Sequence, residues 1–471
     1  MVSGWHTRIL ERLAELLPRG QERAKDSGRP VLVSVTQAMP EERDPLEFFA
    51  SAEGDKACRV FWARPAQQFW LAGIGSAASV AASGMAPFAK AKQEYRSILS
   101  RAIIEGSAIR GVGPIFMGGF RFDCQARQNH VWRDFPDGLL ILPRLLFAAL
   151  AGEQWLTINI IIRPVTDPSG EIQKITKELN SLMSAKPLGP SRQSGISSQV
   201  ATSHEEWTGR VQHALQAIQE GRLGKVVLAR TMRLHSKQEF SLGMVLAGLC
   251  ASYPECSIFA LDNGSSAFVA AAPEVLMRLD KGMLHLSCLA GTTGRGSTPE
   301  EDDLLAQGLL RSEKDQREHA MVVKDVAKAL EGHCDRLAWN KTPQVVRLPT
   351  LQHLATFFDG SPKAPTDILD LVKLLHPTPA VGGLPSESAL EIIRHLEGDR
   401  GWYAAPVGWV DQHGEGEFNV AIRSAVIRGR EATLFAGAGI VEGSDPNLEL
   451  KETELKFQPL LRALGTRNNA V

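Results

Sequence analysis

Carboxylates and a lysine recur at spacings of three and four near the end of the chain, in "GSDPNLELKETELKF" at 443–457. Asp445 followed by Pro446 has the form of an N-cap with proline at the first helical position, where its missing N–H costs nothing. A helix starting there advances about 100° per residue, so Glu449, Glu452 and Lys456 fall within roughly 60° of one another. Leu448, Leu455 and Pro459 mark an apolar stripe beside Glu452. A solvated Glu452–Lys456 pair at i, i+4 would explain this face, as would a site joining carboxylates to a metal ion. The preceding "LFAGAGIVEG" runs from an apolar strand into small residues, which let a ligand approach the main chain closely.

Four other stretches carry residues suited to chemistry. In "GKVVLAR", Lys225 opens a continuous apolar strand. Lysines at strand starts mostly reach for solvent, but one held against buried surface can act as a base. In "AAPEVLMRL", Glu274 follows a proline among small residues. It is a turn residue in the bland reading and a general acid if an apolar cleft raises its pKa. In "LLRSEKDQREHAMVVKDV", Asp315 and Glu318 stand at i, i+3 on a helix with His319 next. Lys314 and Arg317 fit an ion-paired surface, yet "AMVV" shows that one face is buried. Two carboxylates here and two at Glu449 and Glu452 would make the oxygen-only site that Mg²⁺ prefers. "LLHPTPAVGGLP" has no periodicity and forms a rigid loop.

These residues need strands and helices to hold them. Apolar strand-like runs recur at "QQFWLAGIGSAA", "GPIFMGGFRFD", "GLLILPRLLFA" and "WLTINIIIRP". A Pro-, Gly- and Ser-rich segment, 185–203, separates an N-terminal part (1–184) from a second part (204–465). There a helix, "EEWTGRVQHALQAIQEGRLG", leads into "KVVLARTMRL", with further strands at "SIFALD", "SAFVAAA", "MLHLSCLAG", "GEFNVAIRSAVI" and "ATLFAGAGI". The longest helix is expected at about 300–332. The pattern predicts an antiparallel-rich α+β fold. "GIGSAA" at 73–78 lacks the acidic residue and βαβ setting of a dinucleotide loop.

At 471 residues the chain suits one large mixed domain. Its 52 Lys and Arg balance 53 Asp and Glu, so nothing points to nucleic acid or acidic lipid. Six scattered cysteines form no CxxC pair, which excludes a disulfide framework or zinc site and suits the cytoplasm. Ile9, Leu13, Leu16 and Leu17 predict an amphipathic N-terminal helix rather than a signal peptide, and no run is long enough to span a membrane.

The order of the motifs is more specific than any one of them. Lys225, "PE" at 273–274, "LAGT" at 289–292, "SEKDQREH" at 312–319, "LHPTPAVGG" at 375–383, "RGWYAAPVGW" at 400–409, "VAIRS" at 420–424, "AGAGIVEGSDP" at 436–446 and "ETELK" at 452–456 together resemble the chorismate-utilising enzymes. Within them the chain is most similar to isochorismate synthases of the menaquinone-pathway type. The resemblance is dense over 200–462 and looser toward the N-terminus.

It implies a single large α+β domain built on two antiparallel β-sheets with flanking helices. It also implies an isomerase (isochorismate hydroxymutase) that adds water at C2 of chorismate and expels the C4 hydroxyl. Lys225 would activate the water and Glu274 would protonate the leaving group. Glu318 and Glu452 would bind Mg²⁺, supported by Asp315 and Glu449 largely through water, so that the ion holds the ring carboxylate. Tyr403, Arg423, the Gly437 backbone and Lys456 would grip the enolpyruvyl carboxylate. Gly291, Thr292, His353 and Ala380 would line the substrate.

Departures separate the relatives. Anthranilate synthases lack the water-activating lysine, which this chain keeps. Aminodeoxychorismate synthases carry a nucleophilic lysine where this chain has Ala290, so no glutamine amidotransferase subunit is expected. Salicylate synthases, which expel pyruvate, read closer to "FPSxTASG" than to "HPTPAVGG" and are the alternative enzyme. A siderophore-pathway isochorismate synthase is the alternative pathway. A silent chorismate-binding protein would need a broken acid, base or metal ligand, and none is broken.

Overall fold

The computed structural model describes residues 4–40, 42–52, 57–107, 109–183, 195–363 and 366–466. The amphipathic N-terminal segment forms the helix Gly4–Ser27, burying Ile9, Leu13, Leu16 and Leu17. Strand pairing among the described residues joins twenty-one strands into one hydrogen-bonded network, rather than two separate sheets. The pairing is antiparallel apart from Val31–Met39 beside Ile103–Glu105. "GIGSAA" lies inside the strand Phe69–Ala82, not in a loop before a helix.

The apolar strands owe their near-continuous hydrophobicity to burial on both faces. In Arg59–Arg64, Val60 and Trp62 point into one core, and Phe61 and Ala63 into another. Ser257–Asp262 divides likewise, with Phe259 and Leu261 on one side and Ile258 and Ala260 on the other. Successive side chains leave a strand on opposite faces, so one strand serves two cores.

The N-terminal part is stitched into the second part rather than set beside it. Arg59–Arg64 pairs with Ser257–Asp262, and Phe116–Phe120 pairs with Pro406–Val410. Residues 185–194 of the linker-like segment lie outside the described residues. Ile196–Ala201 forms an edge strand along Lys225–Ser236, with mostly exposed side chains. Its polar composition hides the strand, because an edge needs no apolar alternation.

The helix expected at 300–332 is two helices, Pro299–Arg311 and Glu313–Glu331. Ser312 ends the first and N-caps the second, its Oγ accepting from Asp315 N. The C-terminal helix runs Pro446–Ala463, with Asp445 accepting from the amides of Asn447 and Leu448. Among the described residues, no helix is long and apolar enough to cross a membrane.

Candidate active site

Lys225 is the first residue of the strand Lys225–Ser236, held between Glu431–Ile440 and the short strand Gly383–Leu384. It is fully buried, so it does not reach for solvent. Its Nζ lies 2.9 Å from Glu318 Oε1 but is not aligned for a hydrogen bond. The close fit depends on Gly439, where a Cβ would stand 2.5 Å from Glu318 Oε1 and 3.2 Å from Lys225 Cε. Arg400 ties the neighbouring loop to this strand, donating to Val381 O at 2.8 Å and Val227 O at 2.6 Å.

Glu274 lies between the strands Ala267–Ala272 and Val275–Asp280, its carbonyl accepting from Val420 N. Burial pushes its carboxyl up to about 8, against the opposing charges of Lys225 and Lys456 and the Leu289 amide. Glu274 is therefore protonated at neutral pH and able to donate.

Arg423 supplies an unmatched positive charge. Its backbone has φ +51, and its side chain is buried. Nη2 donates to His353 Nε2 at 2.9 Å, only the weakly accepting Cys256 thiol otherwise meets the guanidinium, and no carboxylate pairs with it among the described residues. Burial holds His353 well below its usual pKa, helped by the charges of Arg423 and Lys456. Because Nε2 accepts from Arg423, the ring proton sits on Nδ1, 3.0 Å from Thr292 Oγ1. Tyr403 stacks on Phe435, and its hydroxyl lies 2.8 Å from where a Cβ on Gly437 would be. A buried guanidinium with free donors calls for an anion, and a carboxylate fits its planar fork.

The helices Glu313–Glu331 and Pro446–Ala463 bring four carboxylates to the same cavity. Lys314 pairs with Glu449 at 2.8 Å, and Lys456 pairs with Glu452 at 2.6 Å while also donating to Gly437 O. The i, i+4 pair of the bland reading is thus present, but it faces the cavity. The expected apolar stripe is not the buried face. Leu448 and Leu455 are 62% and 39% exposed, whereas Glu449 is 3% and Thr453 0% exposed. Pro459 alone of that stripe is buried. Burial of Phe457, Leu460 and Leu461 sets the rotation of the helix and carries Glu449, on the same face, in to Lys314 of the neighbouring helix.

Of Asp315, Glu318, Glu449 and Glu452, only Glu449 and Glu452 have a lysine in hydrogen-bond contact, Lys314 and Lys456. Glu452 is held above the usual carboxylate range by burial and then by the charges of Glu449 and Glu318. Asp315 is raised by burial, with Glu318 adding to it. Among the described residues no three His, Cys, Asp or Glu side chains already enclose an ion position. The all-oxygen donor set and its mutual repulsion nevertheless fit a hard divalent cation. His319 is outside this set. Its Nε2 lies 2.8 Å from Thr356 Oγ1, and burial lowers its pKa to about 4.

One cavity is lined by Glu274, Gly291, Thr292, Asp315, Glu318, His353, Ala380, Tyr403, Arg423, Gly437, Glu449, Glu452 and Lys456. Lys225 lies just behind that lining, against Glu318. Sequence reasoning brought these residues together but missed Lys314 and Gly439 as site residues and Arg400 as a brace. Lys314 was visible only as a charge on a helix, and Gly439 only as one member of a small-residue run.

The description "Chorismate binding enzyme" matches residues 19–465. The chain is 33% identical over 456 residues to an isochorismate synthase of Bacillus subtilis, covering 94% of this chain and 95% of the relative. It is 34% identical over 456 residues to the salicylate biosynthesis isochorismate synthase of Pseudomonas aeruginosa, covering 95% and 92%. The menaquinone-specific isochorismate synthase of Escherichia coli is structurally similar, with a TM-score of 0.78 and 26% identity over 97% of this chain and 99% of that one.

Proposed function

The chain belongs to the chorismate-binding enzymes, and from that premise we propose that it is an isochorismate synthase, an isomerase moving the hydroxyl of chorismate from C4 to C2. One observation carries the reading: a buried lysine and a buried, protonated glutamic acid stand at one cavity beside an arginine with free donors.

Lys225, as the free amine, takes a proton from the water that attacks C2, and the ammonium so formed lies against Glu318. As the ring double bonds shift, Glu274 gives its proton to the C4 oxygen, which departs as water. Each event is the reverse of the other in kind, so the reaction runs to an equilibrium mixture. Arg423, with Tyr403, Lys456 and the Gly437 backbone, holds the enolpyruvyl carboxylate. The enolpyruvyl ether is untouched, and no pyruvate is released. Gly291, Thr292, His353 and Ala380 line the ring.

Glu318 and Glu452 would hold Mg²⁺, with Asp315 and Glu449 in support. When bound, the ion supplies positive charge to fix the ring carboxylate. Ala290 stands where aminodeoxychorismate synthases carry their nucleophilic lysine; with water as the nucleophile no ammonia-supplying subunit is required. The whole-length likeness to the menaquinone-specific enzyme supports that pathway, and the salicylate-biosynthesis relative shares the same isomerisation.

Incubating the purified protein with chorismate and Mg²⁺, then resolving the products by chromatography, tests the proposal. Isochorismate should accumulate without pyruvate in a lactate dehydrogenase-coupled assay. Stoichiometric pyruvate with salicylate would make the protein a salicylate synthase. Absence of turnover would overturn both enzyme readings.

A further inference from the structure

Three lysines stand among the carboxylates of the cavity, and they are held differently. Lys225 is fully buried against Glu318. Lys456 has two partners, Glu452 at 2.6 Å and the Gly437 carbonyl at 2.9 Å. Among the described residues Lys314 has one, Glu449 Oε1 at 2.8 Å. Its side chain is also the most exposed of the three, 39% against 21% for Lys456 and 1% for Lys225.

Glu449 is fixed where Lys314 is not. Its side chain is 4% exposed, on the buried face of the helix Pro446–Ala463. A buried carboxylate needs a cation beside it, and Lys314 is that cation. The charges of Glu449, Glu318 and Asp315 all act on Lys314. A divalent ion held among the same carboxylates is therefore repelled by the ammonium that already neutralises them.

Lys314 has room to move. It lines both the cavity and an adjoining recess, which Gly224, Arg317, Lys324 and Glu442 also line. Glu442 is exposed and in no ion pair among the described residues. A flexible four-carbon stem carries the lysine charge, so turning from one opening to the other can bring it from one carboxylate to another. Arg317 and Lys324 oppose a permanent stay in the recess, which leaves Glu449 as the resting partner.

We infer that Lys314 is a displaceable counter-ion, which neutralises Glu449 until Mg²⁺ binds and then swings into the recess beside Glu442. The inference rests on the metal reading of Glu318 and Glu452 and adds a residue that competes with the ion. Lys314 thereby lowers Mg²⁺ affinity and keeps binding reversible.

Isothermal titration of the full-length, substrate-free protein with MgCl₂ measures the competition. Lys314→Gln keeps a hydrogen-bond donor and removes the charge, so Mg²⁺ should bind on the order of tenfold more tightly than in wild type. Equal or weaker affinity would make Lys314 a structural partner of Glu449 and overturn the inference. The displacement is read on wild type, independently of whether the variant folds. Acylation by acetic anhydride, followed site by site by mass spectrometry, should increase several-fold at Lys314 in saturating MgCl₂ but not in NaCl of equal ionic strength. Acylation of Lys314 that saturating Mg²⁺ leaves unchanged or lowers would overturn the inference as well. Wild-type protein that binds no Mg²⁺ would instead overturn the metal reading beneath it.

Discussion

On the sheet wall of the cavity Lys225 and Glu274 are 0% and 4% exposed; on the helical wall Glu449 and Glu318 are buried too, but the side chains of Lys314, Glu452 and Lys456 remain 39%, 23% and 21% exposed. The dry wall sets protonation, because removing water raises the Glu274 carboxyl to about 8 against the opposing charges of Lys225 and Lys456 and the Leu289 amide. The charged wall instead balances carboxylates against lysines in direct contact. Proton transfer needs a group kept neutral by its surroundings, and ion binding needs charges that can exchange partners. Under the proposed function the strands would serve the first demand and the helices the second.

The largest effects should come from the dry wall. Lys225→Ala and Glu274→Ala should each lower kcat by a factor on the order of 10² or more, with the fold retained by circular dichroism. Near wild-type turnover for Lys225→Ala at neutral pH would remove it as the base. The same wall predicts an alkaline limb in the rate profile. Glu274 is the acid only while protonated, so kcat should fall as pH rises through about 8. Folding stability should respond in the same direction. The folded chain keeps a proton that the unfolded chain releases above its ordinary value of 4.5, so this contribution fades between 4.5 and about 8. Thermal melts of wild type and Glu274→Gln across that window check the sign, since the glutamine variant should lose this component.

The charged wall should respond differently. EDTA should abolish activity and Mg²⁺ restore it. Glu452→Gln should lower the rate and raise the Mg²⁺ concentration for half-maximal activity by roughly tenfold or more. A normal rate and normal titration would leave Glu452–Lys456 as a mere ion pair. Arg423→Lys keeps a charge but loses the planar fork, so KM for chorismate should rise about tenfold, equivalent to ~1.4 kcal/mol, with a smaller change in kcat. The smallest effect is expected at His319, which adjoins Glu318 in sequence but bonds Thr356 instead. His319→Gln should cost about 1 kcal/mol of stability and leave the Mg²⁺ titration unchanged.

Much of this site was legible because catalysis constrains residue type and order together. Lys225, Glu274 and the paired carboxylates stand in motifs whose succession is hard to produce otherwise. The helix rotation was not legible. Leu448 and Leu455 marked the wrong stripe: the buried face is that of Phe457, Leu460 and Leu461, which Glu449 and Thr453 share, and Lys314 and Arg230 on other elements meet those two polar side chains. The break at Ser312 was written in its capping sequence but was masked by helical residues on both sides. The stitching of the N-terminal strands to Ser257–Asp262 and Pro406–Val410 depends on register between segments far apart in sequence, which local periodicity does not encode.

On the proposed mechanism water, activated at Lys225, attacks C2 while Glu274 expels the C4 hydroxyl. This step is tested most directly by running the reaction in water labelled with heavy oxygen and locating the label in the product by mass spectrometry. The expected product is isochorismate carrying one labelled oxygen, at C2, formed at a rate that Lys225→Ala and Glu274→Gln both suppress. Isochorismate without the label would mean that the hydroxyl migrates within the substrate, and the assignment of Lys225 as the water-activating base would be wrong.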